Sequence, residues 1–216
     1  LVRDAAYESQ LKEKRRAIHA RILTALEADP DIAPEVLAVH AEAANLNGRA
    51  IDLWEIAGKA AIARPAFDEG ISNLHRAIAL INPGIEGGKR PVIERALALQ
   101  VQLGMALLVR LGYGADETIS AFEHALKLAD KIGKTSMRYS VLYGLWIGKG
   151  MRGEFAEALK RAEALVEQAA KSSETAPFVV ANRVAGATNF FVGNFAEADK
   201  YLAIALKNYD PVAHAG

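Results

Sequence analysis

Gly133-Lys134-Thr135 is the first stretch whose residue types could do chemistry, because it ends like a phosphate-binding loop. Such a loop needs a glycine five residues before its last one and a strand leading into it. Position 128 is Leu128, and the segment before it has helical spacing. Gly133 therefore reads as a helix terminator and Thr135 as a cap for the next helix. Gly148-Lys149-Gly150 fails the same test: Tyr143 stands where the glycine belongs, and Gly150 replaces the Ser or Thr. Ser9 and Lys12 have the serine–lysine spacing of some acyl-enzymes, but the companion motifs are missing. The histidines His19, His40, His75, His124 and His214 include no pair at i, i+4 and no His-Glu-x-x-His. The absence of cysteine removes disulfides, thiolate zinc sites and cysteine nucleophiles. The sequence assigns no catalytic residue, no metal site and no cofactor, and the chain reads as a non-enzyme.

What remains is recognition chemistry. Tyr143, Trp146 and Ile147 fall on one helix, and Asn182, Arg183, Asn189 and Phe190 on another. By register these side chains line one face of an array. Arg183 with Asn182 and Asn189 could hold a carboxylate or a peptide backbone. An alternative use of the same residues is a pocket for a small molecule, lined by Tyr143, Trp146 and Phe190, as in the sensor domain of a transcriptional regulator. A third candidate is the basic face of residues 11–27, carrying Lys12, Lys14, Arg15, Arg16 and Arg21. A run of this kind reads as a solvated face, or one packed on a neighbouring domain, ahead of a nucleic-acid contact.

These residues are positioned by a repeat. GEFAEALKRAEAL at 153–165 returns as GNFAEADKYLAIA at 193–205, a spacing of 40 (193 minus 153). Self-similarity at a fixed period marks stacked supersecondary units. Gly153 and Gly193 are expected to end one helix in a left-handed conformation. Phe155 and Phe195 are expected to plug the crook between two helices. Ala158 and Ala198, one turn on, are small enough to let backbones approach. The register extends backward: Thr118, Ala158 and Ala198 are equivalent, as are Phe122, Ala162 and Leu202, and Ala125, Leu165 and Ala205.

The rest of the chain is punctuated in the same way. The spacing predicts a short helix over 2–9, then helices over 11–27, 35–44, 49–63, 67–81, 92–111, 116–132, 136–151, 154–170, 176–192 and 196–208. Thr135–Ser136 and Ser172–Ser173 are expected caps. NPGIEGGKRP at 82–91 is the clearest loop, and no segment alternates as a strand would. The domains expected are a helical junction over 1–29, first repeat helices over 30–81, the loop 82–91 and three helix pairs over 92–216.

Composition bounds the partners. Lys plus Arg number 26 and Asp plus Glu number 26, so neither a broad nucleic-acid surface nor a membrane surface is favoured. The most apolar stretch, 96–109, is interrupted by Gln100 and Gln102 and looks too short to cross a membrane. The partner expected is a protein, a peptide or a neighbouring domain. The chain opens on Leu1 with no Met and no signal-peptide pattern, and reads as a cytoplasmic piece of something longer.

Small residues one turn apart, a glycine before an aromatic, and alanine with a bulky residue in the second helix resemble the tetratricopeptide repeat, whose usual period is about 34. The fold this implies is all-α, a right-handed superhelix of antiparallel helix pairs. A closer resemblance covers most of the chain. Residues 1–27, LVRDAAYESQLKEKRRAIHARILTALE, are similar to the junction after the ATPase of large bacterial signalling proteins. Those carry an adenylate/guanylate cyclase or LuxR-type output domain, a STAND/AAA-like ATPase and then tetratricopeptide repeats. Residues 36–81, 108–135, 141–158 and 186–216 resemble their repeat region. The resemblance implies a regulatory scaffold that couples signals through protein contacts, with the nucleotide chemistry outside this stretch.

Overall fold

A computed structural model describes residues 11–133, 137–171 and 175–211. The helix expected over 2–9 and the caps expected from Thr135, Ser136, Ser172 and Ser173 lie outside these residues. Among the described residues there are ten α-helices and one 3-10 turn, with no strand. The chain forms two compact units, Leu1–Arg110 and Leu111–Gly216.

In the first unit, α1 (Lys12–Leu26) buries only Leu23, so it is lightly held. It meets α2 (Pro34–Ala43) through a histidine pair, His19 Nδ1 to His40 Nδ1 at 2.9 Å. A bond between two imidazoles needs a proton on one nitrogen and a lone pair on the other. Burial, then the charge of His40, keeps the pKa of His19 below its ordinary value. Asn45 (φ 63°) turns the chain into α3 (Asn47–Ala63), which starts two residues before the expected 49.

α3 packs closest on α4 (Phe67–Ile81). A Cβ on Gly58 would sit 3.0 Å from Leu74 Cγ, and one on Gly70 only 2.6 Å from Ile62 Cγ1. Trp54 of α3 is buried, donates from Nε1 to Glu42 at 3.0 Å, and carries the Arg76 guanidinium 4.7 Å above its ring. After the 3-10 turn Asn82–Gly84 comes α5 (Arg90–Leu111). Its Arg95 pairs with Asp52 and Glu55 of α3, Gln102 donates to Glu55 at 3.1 Å, and Arg110 reaches Asp68 of α4 at 2.9 Å.

At 22 residues, α5 is long and apolar enough, by length and composition, to cross a membrane. This corrects the expectation from 96–109, because the helix runs on at both ends and its glutamines carry no charge. Such a helix is also what a packed interior requires, and Ala96, Leu97, Leu99, Leu103 and Ala106 are buried here.

The second unit contains α6 (Asp116–Ile132), α7 (Met137–Met151), α8 (Phe155–Ala169), α9 (Thr175–Phe191) and α10 (Phe195–Asn208). Gly133 ends α6 at φ 85°, its N–H on the Ala129 carbonyl at 3.0 Å, which is the terminator the sequence suggested. Gly153 and Gly193 make the tight turns after α7 and α9 at φ 73° and 82°, where a side chain would be strained. The register of 40 holds inside for two sets: Thr118, Ala158 and Ala198 are buried, and so are Ala125, Leu165 and Ala205, while in the third Phe122 and Ala162 are buried and Leu202 is exposed.

The crook differs from the expectation. Phe155 is 36% exposed and Phe195 is 63% exposed. The helices are too close for a ring between them: a Cβ on Gly186 of α9 would lie 3.2 Å from the Ala198 carbonyl of α10. The small residues fill the crook, and the phenylalanines are displaced to its rim.

Close approach also sets a stability test. A Cβ on Gly148 would meet the Tyr113 carbonyl at 2.8 Å and Ile119 Cγ1 at 3.1 Å, whereas Gly150 has open space around it. Gly148→Ala should cost about 1–3 kcal/mol, as overpacking does. Gly150→Ala should gain about 0.5 kcal/mol through helix propensity. Urea unfolding of the two variants beside the parent checks both signs.

Candidate functional site

α7 and α9 run side by side and place the expected recognition residues. Tyr143 and Trp146 of α7 form a tilted ring pair, centroids 5.5 Å apart. Trp146 Nε1 donates to Thr188 Oγ1 at 2.8 Å, and that hydroxyl donates on to the Val184 carbonyl at 2.7 Å. Trp146 is therefore anchored to α9 while part of it remains accessible, as do Tyr143 and Ile147. Arg183 is exposed and Phe190 is 56% exposed.

Asn182 and Asn189 correct the expectation. Both are buried, and their amides donate to carbonyls one turn back, Asn182 to Phe178 at 2.8 Å and Asn189 to Ala185 at 2.9 Å. Side chains bonded to their own helix cannot join Arg183 in a carboxylate clamp. Tyr143 and Trp146 make their ring contact with each other, whereas the ring contacts of Phe190 are with Phe191 and Phe195.

Tyr139, one turn before Tyr143, ties the two helices together. Its hydroxyl donates to the Pro177 carbonyl at 3.0 Å. Burial, then the neighbouring Tyr143, pushes its pKa up to about 12, partly opposed by Arg183. The unfolded tyrosine titrates near 10. The folded state thus keeps its proton longer, and this stabilising contribution is present below pH 10 and lost as pH rises toward 12. Tyr139→Phe should cost about 1 kcal/mol at neutral pH. The gap between parent and variant should shrink across that alkaline window, which denaturant titrations at stepped pH would show.

Four phenylalanines that the sequence spacing does not group come together at the surface. Phe155 stacks on Phe191 with centroids 5.7 Å apart at 18°. Phe191 meets Phe190 edge-on at 6.0 Å, and Phe190 meets Phe195 at 5.7 Å. Phe191 is 64% exposed, so four linked rings face solvent across the α7–α8 and α9–α10 turns. The sequence carried a signal: NFFVGNF at 189–195 sets three phenylalanines around one glycine turn. Among the described residues, no group of three or more His, Asp or Glu could hold a metal ion.

The ten helices of the described residues, with small residues at the α3–α4, α6–α7 and α9–α10 crossings, form a helical-repeat fold of the TPR type. The likeness extends to solved structures. BtubC (BKLC) from P. vanneervenii aligns with a TM-score of 0.62 at 13% identity, over 96% of this chain and 94% of that one. MamA aligns at 0.55 and 16% identity over 93% and 94%. YrrB, described as a TPR protein with an unusual peptide-binding site, aligns at 0.52 and 16% identity over 86% and 90%. No protein-family model matches the chain. An uncharacterized protein of Rhizobium meliloti (strain 1021) is 26% identical over 97% of this chain, and the chain spans 20% of that protein's length.

Proposed function

We propose that the chain is a non-catalytic scaffold that binds a protein or peptide through the phenylalanine rim of its second unit. The observation that carries this reading is the contact chain Phe155–Phe191–Phe190–Phe195, exposed throughout. Folding gains little from rings left in water, while a partner covering them gains roughly 25 cal/mol per Å². Contiguous apolar patches on a soluble surface mark interaction sites, and aromatic anchors dominate interface energies. Arg183, Tyr143 and Ile147 supply a charge and further apolar area on the same unit.

The wider setting is a cytoplasmic bacterial regulator with a STAND/AAA-like ATPase and a cyclase-type or LuxR-type output domain. Support comes from the resemblance of residues 1–27 and of the repeat segments, and from the alignment to a relative about five times longer. A partner would act there by preferring one state of the larger protein, since only differential affinity shifts an equilibrium.

The test is capture of the native partner on immobilised chain. Phe191→Ser and Phe190→Ser should each weaken capture by at least about tenfold. Arg183→Ala should weaken it less. Undiminished capture by the double phenylalanine variant would refute the placement.

A further inference from the structure

α1 is held on α2 by few groups, and two of them titrate. Leu23 is the one buried side chain of α1, while Ile18 and Ile22 are each 36% exposed. Just past its end, Glu27 pairs with Arg49 of α3 at 2.7 Å, an exposed ion pair of the kind that contributes little. Between the two helices stands the bond of His19 Nδ1 with His40 Nδ1 at 2.9 Å, the ring centroids 5.1 Å apart. Both residues are half-buried.

This bond survives one added proton but not two. While both rings are neutral, one Nδ1–H donates to the lone pair of the other Nδ1. The first added proton goes to Nε2 of the donating ring, and an imidazolium still donates. A second has only the accepting Nδ1 to enter. It removes the lone pair that the bond needs and sets two cations with their nitrogens 2.9 Å apart. His19 resists that step, since burial and then the charge of His40 lower its pKa.

The charges around the pair do not offset that repulsion. Arg15 and Arg16 lie one turn before His19 on α1 and add positive charge. Glu13 of α1 and Glu35 of α2 stand more than a turn from His19 and His40 respectively. Glu42 of α2 is turned toward α3 and α4, where it accepts from Trp54 and meets Arg76 at 3.6 Å. On α3, Arg49 is engaged by Glu27, Asp52 and Glu55 by Arg95, and Lys59 by Glu55.

We propose that the His19–His40 pair is an acid-operated latch, in which protonation of both imidazoles frees α1 from α2 while α2, α3 and α4 stay packed. What stays rests on groups that histidine protonation leaves alone, the bond of Trp54 to Glu42 and the close α3–α4 crossing at Gly58 and Gly70. A histidine whose pKa is lowered in the docked helix takes its proton more readily once the helix is released. Docking is therefore at full strength above about pH 6.5 and weakens as pH falls from there through the lower value of His19. Carboxylates titrate near about 4, so release begins before the Glu27–Arg49 pair is lost. The latch lies in the first unit and does not depend on the phenylalanine rim.

Hydrogen exchange of the whole chain, corrected for the intrinsic effect of pH, tests the proposal at about pH 7.5 and about pH 5. Protection over α1 should fall at least about tenfold at the lower pH, with α3 and α4 unchanged. His19→Asn should abolish the difference, because an amide can donate to neutral His40 or accept from its charged form. His75→Asn, at an exposed position of α4, should keep it. Where asparagine fails to hold α1 at neutral pH, the ring NMR signals of the parent decide: the loss of protection should coincide with the second protonation of the pair. Equal protection of α1 at both pH values, a difference that persists in His19→Asn, a loss shared by α3 and α4, or an α1 still protected with both rings charged would overturn the latch.

Discussion

Trp54→Ala is expected to destabilise the first unit by about 3–5 kcal/mol, the range for deleting a buried tryptophan. Three contributions disappear together. The indole is buried among α2, α3 and α4, its Nε1 donates to Glu42, and its ring face carries Arg76. Removing it leaves a cavity, an acceptor that loses a donor, and a cation without its aromatic surface. Trp54→Phe separates these effects. It keeps most of the apolar volume and the ring face, so it should cost only about 1–2 kcal/mol. Denaturant unfolding followed by circular dichroism gives both numbers. A loss for Trp54→Ala below about 1 kcal/mol would mean that the indole is not packed as described.

Leu165→Ala is the counterpart in the second unit, with an expected loss of about 2–5 kcal/mol. Leu165 is completely buried and sits at the position shared with Ala125 and Ala205. Those alanines show that the site is tight in the neighbouring hairpins, while this one is filled by a leucine. Truncation would leave a void that rigid helices cannot close. Met151→Ala provides the contrast. Met151 is 73% exposed at the end of α7, and its loss should stay within about 0.5 kcal/mol.

The sequence made some of this fold legible because close backbone approach tolerates few residues. Thr118, Ala158 and Ala198 could be aligned by eye, and all three are buried at helix crossings. The same spacing recurs in the first unit. Gly58 precedes Gly70 by 12 and Leu74 by 16, and Gly186 precedes Ala198 and Leu202 by the same intervals. At both glycines the leucine fills the space a Cβ would need, which marks α3–α4 and α9–α10 as equivalent hairpins.

Other features were not legible, for physical reasons. An asparagine on an amphipathic helix has the same spacing whether it faces a ligand or bonds its own backbone, so Asn182 and Asn189 could not be sorted. The His19–His40 contact depends on how two helices cross, and no local pattern encodes it. Phe155 and Phe195 follow a turn, where the first helical residue can point in or out. The width of the crook decides between these, and that width is a property of the packed pair. The site is therefore half visible: Tyr143, Trp146, Ile147, Arg183 and Phe190 keep accessible surface, while the ring cluster around Phe190 depends on how the turns fold.

If the proposed partner covers the phenylalanine rim, binding must protect the backbone that carries it. Hydrogen exchange measured on the chain alone and with its captured partner addresses this directly. The account predicts slowed exchange over α9's last turn and the start of α10, around residues 188–197, with little change over α1. Protection confined to the first unit, with the rim exchanging as freely as before, would contradict it.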